Sequence, residues 1–265
     1  MNMHDPNPVL LTQEAGIATL TFNRPAAMNA LDVATAVAFA QACQTLTDTP
    51  DLRVVVLRGA GRAFGVGGDL SAFHEPAQDA QTVANALIAH MHEGVKLLAA
   101  LNAPVLASLH GVVAGGSLSL SLACDLAIAA EGTRFNLAYA NVAANCDVSG
   151  SWNLPRMVGL RNAMQIALLS DTFDAQEALR LGLVNRVVPA DKLEEETAAL
   201  TQRLAKGPTL AYGRMKKLLR QSFDNDLPTQ LDAEREAFVA STQTSDFNEA
   251  LTAFFAKRPA VFTGQ

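Results

Sequence analysis

Three short apolar runs do most to limit what this chain can become: "RVVVLRG" (53–59), "PVLASLHG" (104–111) and "DLAIAA" (125–130). None alternates polar with apolar residues. Strands of this kind are covered on both faces, which points to an internal, largely parallel sheet. Parallel strands need crossovers, and the chain supplies helical spacing at 31–48, with Asp32 near its start, and at 80–101. Strand–helix–strand order implies right-handed βαβ units. Residues 9–25 read as two strands around a Glu-Ala-Gly turn, the second alternating from Ile17 to Phe22. After "GLVNRVVP" (182–189) the sequence turns wholly helical, over 191–206, 208–223, 227–241 and 245–256. The break at Lys206-Gly207-Pro208 predicts an α/β core over 1–206 and a helical region over 207–265.

The totals exclude several classes of function. Of 265 residues, 49% are apolar and 17% charged, enough to fill a sizeable core. The net charge of −6 comes with no basic tract, so nucleic acid is not an expected partner. Cys43, Cys124 and Cys146 have no ligand or disulfide spacing, which suits a reducing compartment. No metal is expected, because His90 and His92 face apart on a helix and no His or Cys cluster occurs. The first ten residues lack a signal pattern, and no apolar run approaches the ~20 residues that span a bilayer. These features lead to the expectation of a cytoplasmic protein with no membrane partner.

Two glycine-rich stretches carry the chemistry. "HGVVAGGSLSLSLACDLAIAA" (110–130) places Gly115 and Gly116 at a helix start, where unpaired N–H groups and the helix dipole favour negative charge. "GAGRAFGVGGDL" (59–70) is not a dinucleotide loop, since Phe64 stands at the third glycine position and no clear helix opens there. Its glycines crowd round Phe64 and Val66, as backbone near a ligand does. "GGSLS" resembles a nucleophile elbow without its last glycine, which leaves a serine hydrolase as an alternative, with Ser117 as nucleophile and His110 or His92 as base. His92 sits at the edge of the apolar stripe Leu87, Ile88, Met91, Val95 and reads as a half-buried structural histidine or a catalytic one. Asp147 precedes a helix expected from about Ser149, so it reads as an N-cap or as a carboxylate poised for proton transfer.

Taken together, "NRPAAMNAL" (23–31), "AFGVGGDL" (63–70), "PVLASLHGVVAGGSLSLSLACDLAIAA" (104–130), "LPRMVG" (154–159) and "EALRLGLVNRVVP" (177–189) resemble the crotonase, or enoyl-CoA hydratase/isomerase, superfamily over nearly the whole chain. The resemblance implies a spiral of ββα units, a C-terminal helical region for trimer or dimer-of-trimers assembly, and an acyl-CoA thioester as ligand with no further cofactor. It places the two N–H donors for a thioester oxygen at Gly68 and Gly116. The family's two hydratase glutamates fall on Ser119 and Tyr139, which leaves Asp147 as the carboxylate. The end of the chain (230–264) and the Asp147 position resemble the isomerases of phenylacetate degradation. The expected reaction is thus a double-bond shift with Asp147 as proton shuttle.

The resemblance also admits dehalogenation of 4-chlorobenzoyl-CoA, with Asp147 as nucleophile and His92 as base, or hydration, or thioester hydrolysis, or non-catalytic acyl-CoA binding. Val66 and Cys146 join Ser119 and Tyr139 as expected pocket residues. Arg24, Gly68, Asp69, Leu70 and Ser71 are expected beside CoA, with Phe254 and Lys257 reaching it from the C-terminal region of the same or a neighbouring subunit. The loops 71–90 and 136–148 are expected to set the acyl group.

Overall fold

The computed structural model describes residues 7–74 and 79–265, so part of the expected acyl-setting segment 71–90 lies outside the described residues. The three apolar runs form β3 (Val54–Gly59), β4 (Val105–Leu109) and β6 (Leu126–Ala130). They stand side by side in a six-stranded sheet with β1 (Val9–Glu14), β2 (Ile17–Phe22) and β9 (Arg186–Val188), in the order β1-β2-β3-β4-β6-β9. Within this sheet, among the described residues, β1 and β2 alone pair antiparallel, around a turn in which Ala15 and Gly16 both have positive φ (50° and 78°). Parallel register then runs Val56 to Leu106 and Ala107 to Ala127.

Helices cover both faces, which is why these strands need no polar side. α1 (Val33–Thr47) is capped by Asp32, whose carboxylate accepts from Thr35 N–H at 2.7 Å. After the single turn α2 (Ser71–His74), α3 (Ala80–Ala100) packs on α1 so closely that a Cβ on Gly94 would lie 2.3 Å from Phe39. On the other face α7 (Leu193–Ala205) lays Leu193 and Leu200 over Leu106, Ile128 and Val188.

A second, three-stranded sheet joins β5 (Val112–Ala114), β7 (Arg134–Asn136) and β8 (Phe173–Asp174). Its strands are too short to show a period in the sequence. They complete a repeating unit of one strand in the large sheet, one extended segment in the small sheet, then a helix. β4, β5 and α4 (Gly115–Ala123) form one such unit. β6, β7 and α5 (Gly150–Leu169, broken at Gly159) form the next. In the unit before them β3 is followed by the glycine-rich loop, which bridges β5 at Gly65–Val113. This is the ββα spiral that the resemblance implies.

The connection α6 (Ala175–Arg180) leads to β9. Beyond α7 come α8 (Thr209–Gln221), α9 (Leu227–Ser241) and α10 (Ser245–Phe255). Arg53 ties this region to the start of β3 through the carbonyls of Ala205 and Gly207, at 3.0 and 2.6 Å.

Candidate active site

β5 runs directly into α4. Ala114 stands at the N-cap and offers no side-chain acceptor, and Gly115 makes the bend with φ of +51°. Gly116 is the second residue of the helix, so its N–H has no acceptor within the helix. The glycine-rich loop forms the opposite wall. Phe64 anchors it, fully buried and edge-on to Phe22 at 6.2 Å. Gly67 has φ of +88°, and a Cβ there would lie 3.1 Å from Ala114 O, Gly115 Cα and Gly116 N. Only a glycine permits that approach in that conformation. Leu31 N–H donates to Gly67 O and Asp69 N–H to Leu31 O, both at 2.8 Å, which leaves the intervening Gly68 N–H outside the ladder. Gly68 and Gly116 both face one cavity of about 350 Å³.

Two residues that hold this geometry were not singled out as structural supports by the sequence. Ser117 is buried and its hydroxyl accepts from Gly67 N–H at 3.2 Å. It is a peg under the loop, and His110 is turned to Gly61 O at 2.9 Å, so among the described residues no serine–histidine pair assembles around it. This removes the geometry that a serine hydrolase requires. Asn29, buried at φ of 56°, donates to the carbonyls of Ala60 and Ala63 and accepts from Arg24 N–H. Its signal in the sequence was slight: an Asn tolerates the left-handed region better than most residues.

The third wall comes from the turn Tyr139–Val142 and the segment leading to α5. Asp147 does not cap α5. Ser149 holds that place without a side-chain bond, and the Asp147 carboxylate instead accepts the Tyr139 phenol proton. Val148 and Ser149 both carry positive φ, 47° and 66°, a strained turn that presents Asp147 to the cavity. A Cβ built on Gly116 would lie 3.6 Å from Asp147 Oδ1 and 3.7 Å from the Tyr139 oxygen, so both stand over the backbone of the helix start. Burial raises the Asp147 carboxyl above the ordinary carboxylate range, opposed by the Tyr139 hydrogen bond and by nearby His92. Burial and the Asp147 charge push the Tyr139 phenol up as well, so it stays a neutral donor.

Of the expected pocket residues Val66 and Tyr139 line the cavity, as do the expected catalytic Gly68, Gly116 and Asp147 and the expected CoA-side Leu70, joined by Leu31, Phe73, Leu87, Ile88 and Val142. Ser119 lies one layer behind, fully buried, with its hydroxyl 3.1 Å from the Tyr139 oxygen. The Tyr139 oxygen stands directly against the side chain at 119, and Gly150 leaves just the room Ser119 needs, since a Cβ there would lie 2.4 Å from Ser119 Oγ. Cys146 stands outside the lining and packs towards Gly150. His92 is also outside it, and its Nε2 accepts from Val148 N–H at 3.2 Å.

The expected CoA-side residues form a network of their own. Arg24 is paired with Asp69 at 3.0 Å and Asp32 at 3.2 Å, and Asp69 is also held by the Ser71 hydroxyl at 2.6 Å. The Ser71 and Arg24 bonds lower the Asp69 carboxyl pKa. Phe254, 75% exposed, and Lys257 lie at the end of α10 and do not line the cavity of their own chain. Among the described residues no group of three or more His, Cys, Asp and Glu side chains could hold a metal ion, and no helix is long and apolar enough to cross a membrane.

Known proteins share this arrangement from end to end. Residues 12–265 match the family model described as enoyl-CoA hydratase/isomerase. The chain is 35% identical over 250 residues to a protein of Rhodobacter capsulatus named probable enoyl-CoA hydratase, covering 94% of this chain and 95% of that one. It is 33% identical over 258 residues to the 1,2-epoxyphenylacetyl-CoA isomerase of Escherichia coli, covering 97% and 98%. The crystal structure of an enoyl-CoA hydratase from Polaromonas sp. JS666 superposes with a TM-score of 0.90 at 30% identity, over 96% of this chain and 99% of that one. With its glycine loop packed on a bare helix start inside a ββα spiral, the chain belongs to the enoyl-CoA hydratase/isomerase family, the crotonase superfamily.

Proposed function

We propose that this protein moves a carbon–carbon double bond in an enoyl-CoA thioester, with Asp147 as the single proton carrier. One observation carries the reading: the one carboxylate among the described lining residues, with a raised pKa, stands over the Gly116 backbone, in the cavity that Gly68 also lines. In a 3-enoyl thioester the Asp147 carboxylate takes a proton from the α-carbon. The electron pair moves onto the thioester oxygen, where the Gly68 and Gly116 N–H groups meet it. Each such donor is typically worth about 3 kcal/mol in the transition state. The same carboxyl then returns the proton to the γ-carbon, and the double bond lies between C2 and C3. No water enters. Ser119 and Tyr139 fill the two positions where hydratase glutamates would hold one.

A dehalogenase-like reaction asks more of His92. It would have to activate water beside an aryl ester on Asp147, yet its Nε2 is already engaged by Val148 N–H. His92 therefore fits a role in positioning the Asp147 segment. Arg24 fits CoA binding through its hold on Asp69 and the loop 68–71, since its charge is already shared by two carboxylates. The helical region 207–265 suits assembly into a homotrimer, or two of them. Leu219, Phe223, Leu227, Leu231, Phe238 and Val239 leave apolar side chains on α8, α9 and the turn between them, which a second copy would cover. In such an assembly Phe254 and Lys257 would reach the nucleotide end of a neighbour's ligand.

The test is Asp147→Asn with a 3-enoyl-CoA, read as formation of the conjugated 2-enoyl thioester. General-base catalysis contributes about 100- to 10,000-fold, so nearly all turnover should vanish while substrate binding changes little. Turnover at the wild-type rate would refute the mechanism. Intact-mass analysis after mixing with 4-chlorobenzoyl-CoA would expose an aryl ester on Asp147 if the chemistry were dehalogenation instead.

A further inference from the structure

Asp147 has two oxygens, and the structure treats them differently. Oδ1 accepts the Tyr139 phenol proton. A phenol has one hydrogen to give, so the 3.1 Å contact between the Tyr139 oxygen and Ser119 must run the other way, with Ser119 donating. The row Ser119–Tyr139–Asp147 thus has a fixed direction. Ser119 stands three residues after Gly116 on α4, on the same face of the helix. Gly150, at the start of α5, makes room for it, since a Cβ there would lie 2.4 Å from Ser119 Oγ.

We infer that Tyr139 is the positioning residue of the site: held by Ser119, it occupies Asp147 Oδ1 throughout the cycle and leaves Oδ2 as the one oxygen that exchanges protons with the substrate. The helix that offers the Gly116 N–H to the thioester oxygen thereby also sets the aim of the base. Protonation at Oδ2 does not disturb the bond at Oδ1, because the phenol can donate to a carboxylic acid carbonyl as it does to a carboxylate. The same oxygen can then remove the proton and return it without rotation of the carboxyl group. The catalytic half of this inference rests on the isomerase reading; the hydrogen-bond row does not.

Among the described residues, the titratable groups beside Asp147 are Tyr139, His92 from α3 and the adjoining Cys146. Of these the phenol is the one removed by Tyr139→Phe, which keeps the ring. Losing a donor to the carboxylate should raise the Asp147 titration midpoint by about one pH unit, the size expected for a hydrogen bond to a charged group. This is read directly in the ligand-free protein by carboxyl-carbon NMR, with Asp147→Asn assigning the resonance. In turnover of a 3-enoyl-CoA, kcat should fall roughly 10- to 100-fold with KM little changed, as for a base that has lost its aim, and the acid limb of the pH profile should move up with the midpoint. Ser119→Ala should shift both in the same direction by less. A midpoint that stays in place in Tyr139→Phe overturns the inference, whether or not the protein isomerises. Absence of isomerisation by the wild type, with the midpoint shifted, overturns the isomerase reading alone.

Discussion

Asp125 and Asp147 are both carboxylates withdrawn from water, and their surroundings are opposite. Asp125 follows α4 and meets Lys216 at 2.7 Å, Arg220 at 2.9 Å and Val105 N–H at 2.8 Å. Lys216 in turn donates to the carbonyls of Leu101 and Ala103. Burial lowers the Lys216 pKa, and the Asp125 charge pulls it back up. Asp147 has a phenol and, among the described residues, no cation at ion-pair distance. The cavity beside Asp125, between α5 and α8, is about 400 Å³, larger than the one beside Asp147. Volume alone would select the Asp125 side. What separates the two is satisfaction: a carboxylate surrounded by donors holds the fold, and one left with spare basicity can take a proton from carbon.

The sharpest way to break that contrast is Asp125→Ala. It strands Lys216, largely buried, without its counter-charge. Removing one partner of such a pair costs about 3–5 kcal/mol. The melting temperature should fall by roughly 6–20 °C at fixed protein concentration, with turnover per folded active site preserved. A protein as stable as the wild type would show that α8 docks on the core without this network.

Gly150→Ala tests the support of the Asp147 side. The new methyl group would meet Ser119 Oγ at 2.4 Å, an overpacking expected to cost about 1–3 kcal/mol and to displace Tyr139. Adding Ser119→Ala removes the obstructing oxygen, so the double variant should be more stable than Gly150→Ala alone. Strict additivity of the two changes in unfolding experiments would mean that the contact does not govern the packing.

The smallest effect has the opposite sign to that at Asp125. The folded-state pKa of Asp147 is raised, so the folded protein binds this proton more tightly than the unfolded chain does. The resulting stability is present below the unfolded value of about 3.9 and is lost as pH rises through the folded value. Above that window the wild type carries an uncompensated charge that Asp147→Asn lacks. The variant should therefore melt slightly higher than wild type near neutral pH, and the gap should close as the solution is acidified. A lower melting temperature at neutral pH would show that Asp147 serves the fold as Asp125 does.

Local order was legible because it is written in local spacing. The continuous apolar runs marked β3, β4 and β6, Asp32 announced α1, and the expected helix at 227–241 coincides with α9. The bare glycines of 110–130 pointed to a helix start open to negative charge, and the matching motifs pointed to the family. The short strands β5, β7 and β8 carry too few residues for a period to show, and the helix expected from 191 begins instead as a single tight turn over Ala190–Lys192. At the site, spacing could not decide whether Asp147 capped a helix or faced a ligand, because both uses suit the same residue at the same place. That choice follows from two left-handed residues after it and from a tyrosine brought over it by the preceding turn. In the same way nothing near Asp125 announces Lys216 and Arg220, which reach it from more than ninety residues away. Periods, caps and turns are properties of neighbours in the chain, whereas the partners that pair one carboxylate with two cations and leave another with a phenol alone are supplied only when distant segments pack.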